Sequence, residues 1–317
     1  MVVPLTAPRI AALQEALAAV AADVDRVARR SRDPVSFVHA EERDDDREIV
    51  ALLAAQLAFG NVTTILAKVD DVLNRLKRHG KTPTVALDVL VDPAGDGSRL
   101  AALLVDFKHR VFIGADVAAL LAGGRLLQRN YGSLGAAFAH AWQATGETSA
   151  ASALARFCDE LRALGKFPPR GDPTRRGASH LLPDVARGAG AKRLFLFLRW
   201  MVRPSDGVDL GIWDFSPAHL LIPVDTHIHK VARNLGFTDR NDASLTTPIE
   251  ITNALRALDP EDPVRFDFSL CHLMMKGDCK EEAIPEICEG CPLRPVCCHH
   301  EAPASKTEKA TRRRPRT

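Results

Sequence analysis

The sequence has little tyrosine, a single residue, and only three tryptophans and four methionines among 317 positions. With aromatics at 5% and alanine and leucine abundant, it lacks the composition that strands prefer and favours helix. No apolar run approaches the roughly 18 residues of a membrane span. The N-terminus has no basic segment leading into an apolar core, so it does not read as a secretory signal. An excess of one charge is also missing, with 42 basic against 40 acidic side chains and a net of +2. Seven cysteines, most of them crowded near the C-terminal end, argue against a disulfide framework. They point to a metal site in a reducing, cytoplasmic compartment.

The charge that is present is uneven. After Glu301 the tail carries Lys306, Lys309, Arg312, Arg313, Arg314 and Arg316 against Glu308, a net of +5 that leaves the rest of the chain at −3. Residues 165–203 hold nine Lys and Arg against Asp172 and Asp184. A local basic patch in a mildly acidic protein suits a phosphate contact.

Helical periodicity is the main structural signal. Ile10, Leu13, Leu17, Val20, Val24 and Val27 mark an amphipathic helix over 8–31, ended by Ser31-Arg-Asp-Pro34. Residues 37–46 are polar and read as loop. After Glu48 the chain is apolar all round up to Gly60 except for Gln56, as in a buried helix, and Gly60 turns it into a second helix over Val62–Leu76. Further helices are expected over 100–121, 134–143, 149–164, 246–258 and 264–275. Cys158, alone on an apolar face, reads as packing. Residues 165–177 and 203–217 read as loops, the second carrying Asp206, Asp209, Trp213 and Phe215.

Two stretches carry chemistry. Gly188-Ala-Gly190 permits a tight turn and leads into a run without Gly or Pro that begins near Lys192. Such a helix start leaves backbone N–H groups facing an anion, and a lysine there opposes the dipole, so another demand placed it. Downstream, Asp225 caps a helix closed by Gly236, with Ile228, Val231, Ala232 and Leu235 on its buried face.

Together these stretches resemble the helix-hairpin-helix DNA glycosylases, the superfamily of endonuclease III. Leu182-Pro183, Gly188-Ala-Gly190-Ala-Lys192 and Val224-Asp225-Thr226-His227-Ile228 match its pattern, and Leu52-Leu53-Ala-Ala-Gln56 matches its early helix. Two departures are plain. Four residues separate Pro183 from Gly188 where the family has none, and an extra loop lengthens the chain between Lys192 and Asp225.

The resemblance implies an all-α fold with a cleft between two helical units. One is discontinuous, from 1–60 and 221–278; the other is central, over 61–220. A metal-cluster loop over 279–298 and a disordered basic tail over 299–317 complete it. It implies Lys192 as a nucleophile that forms a Schiff base and Asp225 as the group that stabilises sugar cation and moves a proton. Gln56, Gly188, Gly190, Arg193 and His227 become DNA contacts, the two glycines through backbone N–H to phosphate. Trp213 and Phe215 could stack on an extruded base or pack in the core.

Cys279, Cys288, Cys291 and Cys297 follow Cys-x8-Cys-x2-Cys-x5-Cys, with Cys298 an adjacent alternative for the last. Soft thiolates suit an iron–sulfur cluster or zinc, and spacing alone does not choose. The resemblance favours a [4Fe-4S] cluster, since the family carries Cys-x6-Cys-x2-Cys-x5-Cys in this position and Cys291-Pro-Leu293 matches it. The implied partner is double-stranded DNA with a damaged base or abasic site, bound by a monomer near the nucleoid. The open alternatives are a glycosylase without lyase chemistry and a non-catalytic DNA-binding protein.

Overall fold

The computed structural model describes residues 2–147, 149–275, 279 and 284–298. Among them the architecture is mostly helical, with almost no strand. The expected first helix is two, α1 (Ala7–Ala22) and α2 (Arg26–Arg30). The break falls where the Asp25 carboxylate accepts the Ala28 N–H and starts a new helix. The stretch expected as loop contains a short α3 (Val35–His39), followed by α4 (Asp44–Leu57), α5 (Val62–Leu76), α6 (Pro83–Leu90) and α7 (Ser98–Leu103). The helix expected over 100–121 is interrupted by a small hairpin, β1 (Lys108–His109) and β2 (Phe112–Ile113), before α8 (Gly114–Tyr131). Arg110 turns this hairpin at φ +53, and a Cβ on Gly114 would lie 1.6 Å from the Leu104 carbonyl, so only glycine lets α8 begin there.

The chain continues through α9 (Leu134–Ala144), α10 (Ala150–Leu164), α11 (Arg176–Leu181), α12 (Lys192–Val202), α13 (Thr226–Asn234), α14 (Thr246–Arg256), α15 (Asp267–Met275) and the short α16 (Pro285–Cys288). No described helix is long and apolar enough to cross a membrane. α4 is the hub. It packs against α3, α5, α6, α8 and α12, and every residue from Ile49 to Leu57 is fully buried. α13 packs on α15, and α15 in turn on α1, so the two ends of the chain meet. Cys158 is buried, as its lone apolar position suggested.

One acid inside α4 ties distant segments together. Glu48 is 2% exposed. Its Oε1 accepts the N–H of Gly135 at 2.9 Å and the indole N–H of Trp213 at 2.7 Å. Its Oε2 accepts the N–H of Leu134 at 2.7 Å and the amide of Gln128 at 2.8 Å. Burial pushes the carboxyl up, and these four donors pull it back. The carboxylate thus caps the start of α9, holds α8, and fixes the loop after α12 by its tryptophan.

That loop bears on the two readings left open for its aromatics. Trp213 is buried, stacked on Phe138 at 5.8 Å and edge-on to Phe197 at 5.2 Å. Phe215 stands edge-on to Phe138 and Trp142. Trp213 belongs to the core, and Phe215, half-buried, packs against it. Replacing Glu48 by Ala, which strands four buried donors, should lower stability by about 3 kcal/mol, and Gln should cost less. Urea unfolding followed by far-UV circular dichroism measures both.

Candidate active site

The glycine turn before α12 is clamped from outside. Gly188 sits at φ +86, its N–H donates to Val185 O at 2.9 Å, and its carbonyl accepts Leu245 N–H at 2.7 Å. Gly190 N–H donates to Ala243 O at 3.1 Å, and a Cβ there would come within 2.4 Å of that oxygen. These two N–H groups, expected to face phosphate, are therefore engaged within the chain. Ala191 follows in the left-handed region at φ +43, a costly conformation for a residue with a Cβ. The N–H groups of Lys192 and Arg193, the first two helical residues, have no backbone partner among the described residues.

This geometry delivers Lys192 to Asp225. The Lys192 Nζ lies 3.7 Å from Asp225 Oδ2, with side-chain exposures of 36% and 19%, so the pair is open to solvent on one side. Asp225 is the N-cap of α13, and its Oδ1 accepts the N–H groups of His227 at 2.9 Å and Ile228 at 2.8 Å. One carboxylate oxygen is therefore held by the helix and the other is turned to the lysine. The extra loop between the two residues does not separate them.

Beneath the pair lies a buried ion network that the sequence did not announce. Arg199, two turns along α12 from Lys192, is bonded to both Asp267 of α15 and Asp209 of the 203–217 loop. Arg203 holds Asp209, Asp206 and Asp262, and Asp206 also takes Arg26 at 3.0 Å. Asp206 and Asp209 are thus counter-ions of the core. Asp267, to which sequence gave no role, is 4% exposed. Nothing local in the sequence marks its nearness to Arg199, since the helix expected over 264–275 also carries Arg265, Ser269 and His272.

Burial raises the Asp267 carboxyl from 3.8 to about 6, against the pull of Arg199. A carboxyl raised on folding favours the folded state below its unfolded value, and that contribution is lost as pH climbs through the folded one. Wild-type stability should therefore fall relative to Asp267→Asn between about pH 4 and pH 6, a difference read from denaturation midpoints at each pH. Asp209→Ala, which leaves Arg199 and Arg203 short of a partner, should cost about 3–5 kcal/mol in the same assay.

The remaining expected contacts sit differently. Gln56 is fully buried at the end of α4, and neither polar atom of its amide has a partner. It would have to swing out of the core to enter DNA. Arg193 bonds to the carbonyls of Gln56 and His180 and covers the rings of Phe59 and Phe112. Burial lowers it to about 10, and its two carbonyl contacts make it a strut from α12 to α4 and α11. His227 is half-buried in the first turn of α13, next to the Asp225 cap.

Among the described residues no three His, Cys, Asp or Glu side chains stand close enough to hold a metal ion. The donor chemistry of the cysteine segment nonetheless fits a thiolate-held metal. Asn234 donates its amide to Cys279 Sγ at 3.3 Å and Arg9 its guanidinium to Cys298 Sγ at 3.8 Å, the kind of N–H contact that stabilises anionic sulfur. Cys288 and Cys291 are half-buried and Cys297 is buried. His299, His300 and the basic tail lie outside the described residues.

Residues 33–276 match a family described as proteins of unknown function, DUF2400. The chain belongs to this family. The DUF2400 span contains Lys192, Asp225 and the ion network beneath them, and it stops short of the cysteine segment. No curated protein and no solved structure matches the chain.

Proposed function

We propose that this DUF2400 protein is a base-excision DNA glycosylase of helix-hairpin-helix type with abasic-site lyase activity. The observation that carries this reading is the contact of Lys192 Nζ with Asp225 Oδ2 at the starts of two helices, across 32 intervening residues and an extra loop. A damaged base, flipped from the stack, enters beside this pair. The Lys192 amine, in its uncharged form, adds to the sugar C1′ as the base departs with its bonding electrons and is protonated. Asp225 supports the positive charge that develops on the sugar and takes the proton released by the amine. Opening of the sugar gives a Schiff base, and loss of a C2′ proton expels the 3′ phosphate. The unpartnered N–H groups of Lys192 and Arg193 suit a backbone phosphate. The four cysteines would hold a [4Fe-4S] cluster or zinc as a structural group.

The same contact supports a second reading. If the pair persists as an ion pair on DNA, the amine cannot attack, and the protein is a glycosylase without lyase chemistry.

Borohydride trapping on duplexes with an abasic site or a panel of oxidised bases tests both. Wild type should give a covalent adduct, Lys192→Ala none, and Asp225→Asn should slow base release by about 100-fold or more. Base release without an adduct selects the second reading, and neither base release nor adduct from folded protein overturns the proposal.

A further inference from the structure

Asp225 Oδ2 faces two side chains, and the lysine is only one of them. Cys271 Sγ lies 3.6 Å from the same oxygen. Cys271 is half-buried on α15, one turn beyond Asp267, so both point to one face of that helix. On α12, Lys192 and Arg199 likewise share a face. The Arg199–Asp267 pair therefore sets the register of the two helices, and that register delivers the thiol to Asp225. A second sulfur, Met275 Sδ, stands 3.9 Å from the Cys271 Sγ, one turn along α15.

The surroundings keep the thiol protonated. Burial, then the carboxylates of Asp225 and Asp267, push it well above its ordinary value, and Lys192 pulls the other way. At neutral pH an S–H therefore faces Oδ2.

We propose that Cys271 is a positioning residue for Asp225, whose S–H, donated to Oδ2, fixes the rotation of the carboxylate beside Lys192. The inference rests on the reading of Lys192 and Asp225 as the reacting pair. The N-cap bonds hold Oδ1 through two backbone donors. Without a donor on Oδ2, the ammonium of Lys192 or water would decide where that oxygen points. A thiol suits the task because it is a weak donor. It restrains the oxygen while leaving it able to accept a proton, which a strong donor would oppose.

The test uses the full chain and has two arms. The first is the infrared S–H stretch, isolated for Cys271 as wild type minus Cys271→Ala. The band should lie below that of the buried Cys158 thiol, isolated in the same way, and should move up in Asp225→Ala. A Cys271 band at the Cys158 position, or one indifferent to Asp225→Ala, overturns the contact. The second arm is single-turnover base release beside duplex affinity. Cys271→Ala should slow release by about tenfold with Kd unchanged, and Cys271→Ser, whose hydroxyl is a stronger donor to Oδ2, should recover only part of the rate. Equal rates in Ala and wild type, or a loss confined to Kd, overturn the positioning role. Should wild type release no base from any duplex, the glycosylase reading fails, while the infrared arm still decides whether the thiol holds Asp225.

Discussion

The guanidinium of Arg199, buried between Asp209 and Asp267, is the interaction on which the candidate site depends. A charge so placed is tolerated only when its partners are fixed around it. Each partner comes from a different part of the chain: α12 supplies the cation, α15 one anion, and the loop after α12 the other. Once they meet, the relation of α12 to α15 is set, and α13, packed on α15, is set with them. The lysine at the head of α12 and the aspartate at the head of α13 are brought together by this frame. Direct attraction between them is weak at a half-exposed surface, so it cannot have organised the helices itself.

The glycine turn performs the complementary task. Gly190, pressed against the Ala243 carbonyl, anchors the entry of α12 to the loop before α14. Lys192 is therefore fixed at both ends of its helix, by a backbone contact at the start and by an ion cluster two turns on. Chemistry that needs an amine within reach of a sugar carbon benefits from such restraint, because the positional freedom is removed before substrate arrives.

The sequence made the helices legible where periodicity was clean, as in α5 and α13, or where an apolar run was unbroken, as in α4. It also made legible the lysine and the aspartate, because turn and cap chemistry are local. What it hid was set by partners far along the chain. The hairpin after α7 was masked by flanking helical periodicity, while Arg110 and Gly114 carried the turn. Trp213 could have faced a base or the core, and only the position of Glu48 decided it. Asp267 and Cys271 looked like ordinary residues of a last helix, since nothing local marks an acid whose partner lies 68 positions away or a thiol aimed at a cap. The DNA contacts expected at Gln56 and Arg193 are placed differently for the same reason: α4 is the most enclosed helix, and its end is buried with it.

The Trp213–Glu48 bond has a consequence for descent. The loop over 203–217 is stitched to Glu48 through its indole and to Arg199 through Asp209, so it is no independent insertion. A lineage that shed it would leave a buried acid and a buried cation short of partners at once, and single steps in that direction would be poorly viable. The loop, the acid in α4 and the arginine in α12 should therefore be inherited as a block. A chimera that moved the loop alone would carry Asp209 with Arg203 but without Arg199, and Trp213 without the carboxylate that takes its indole N–H.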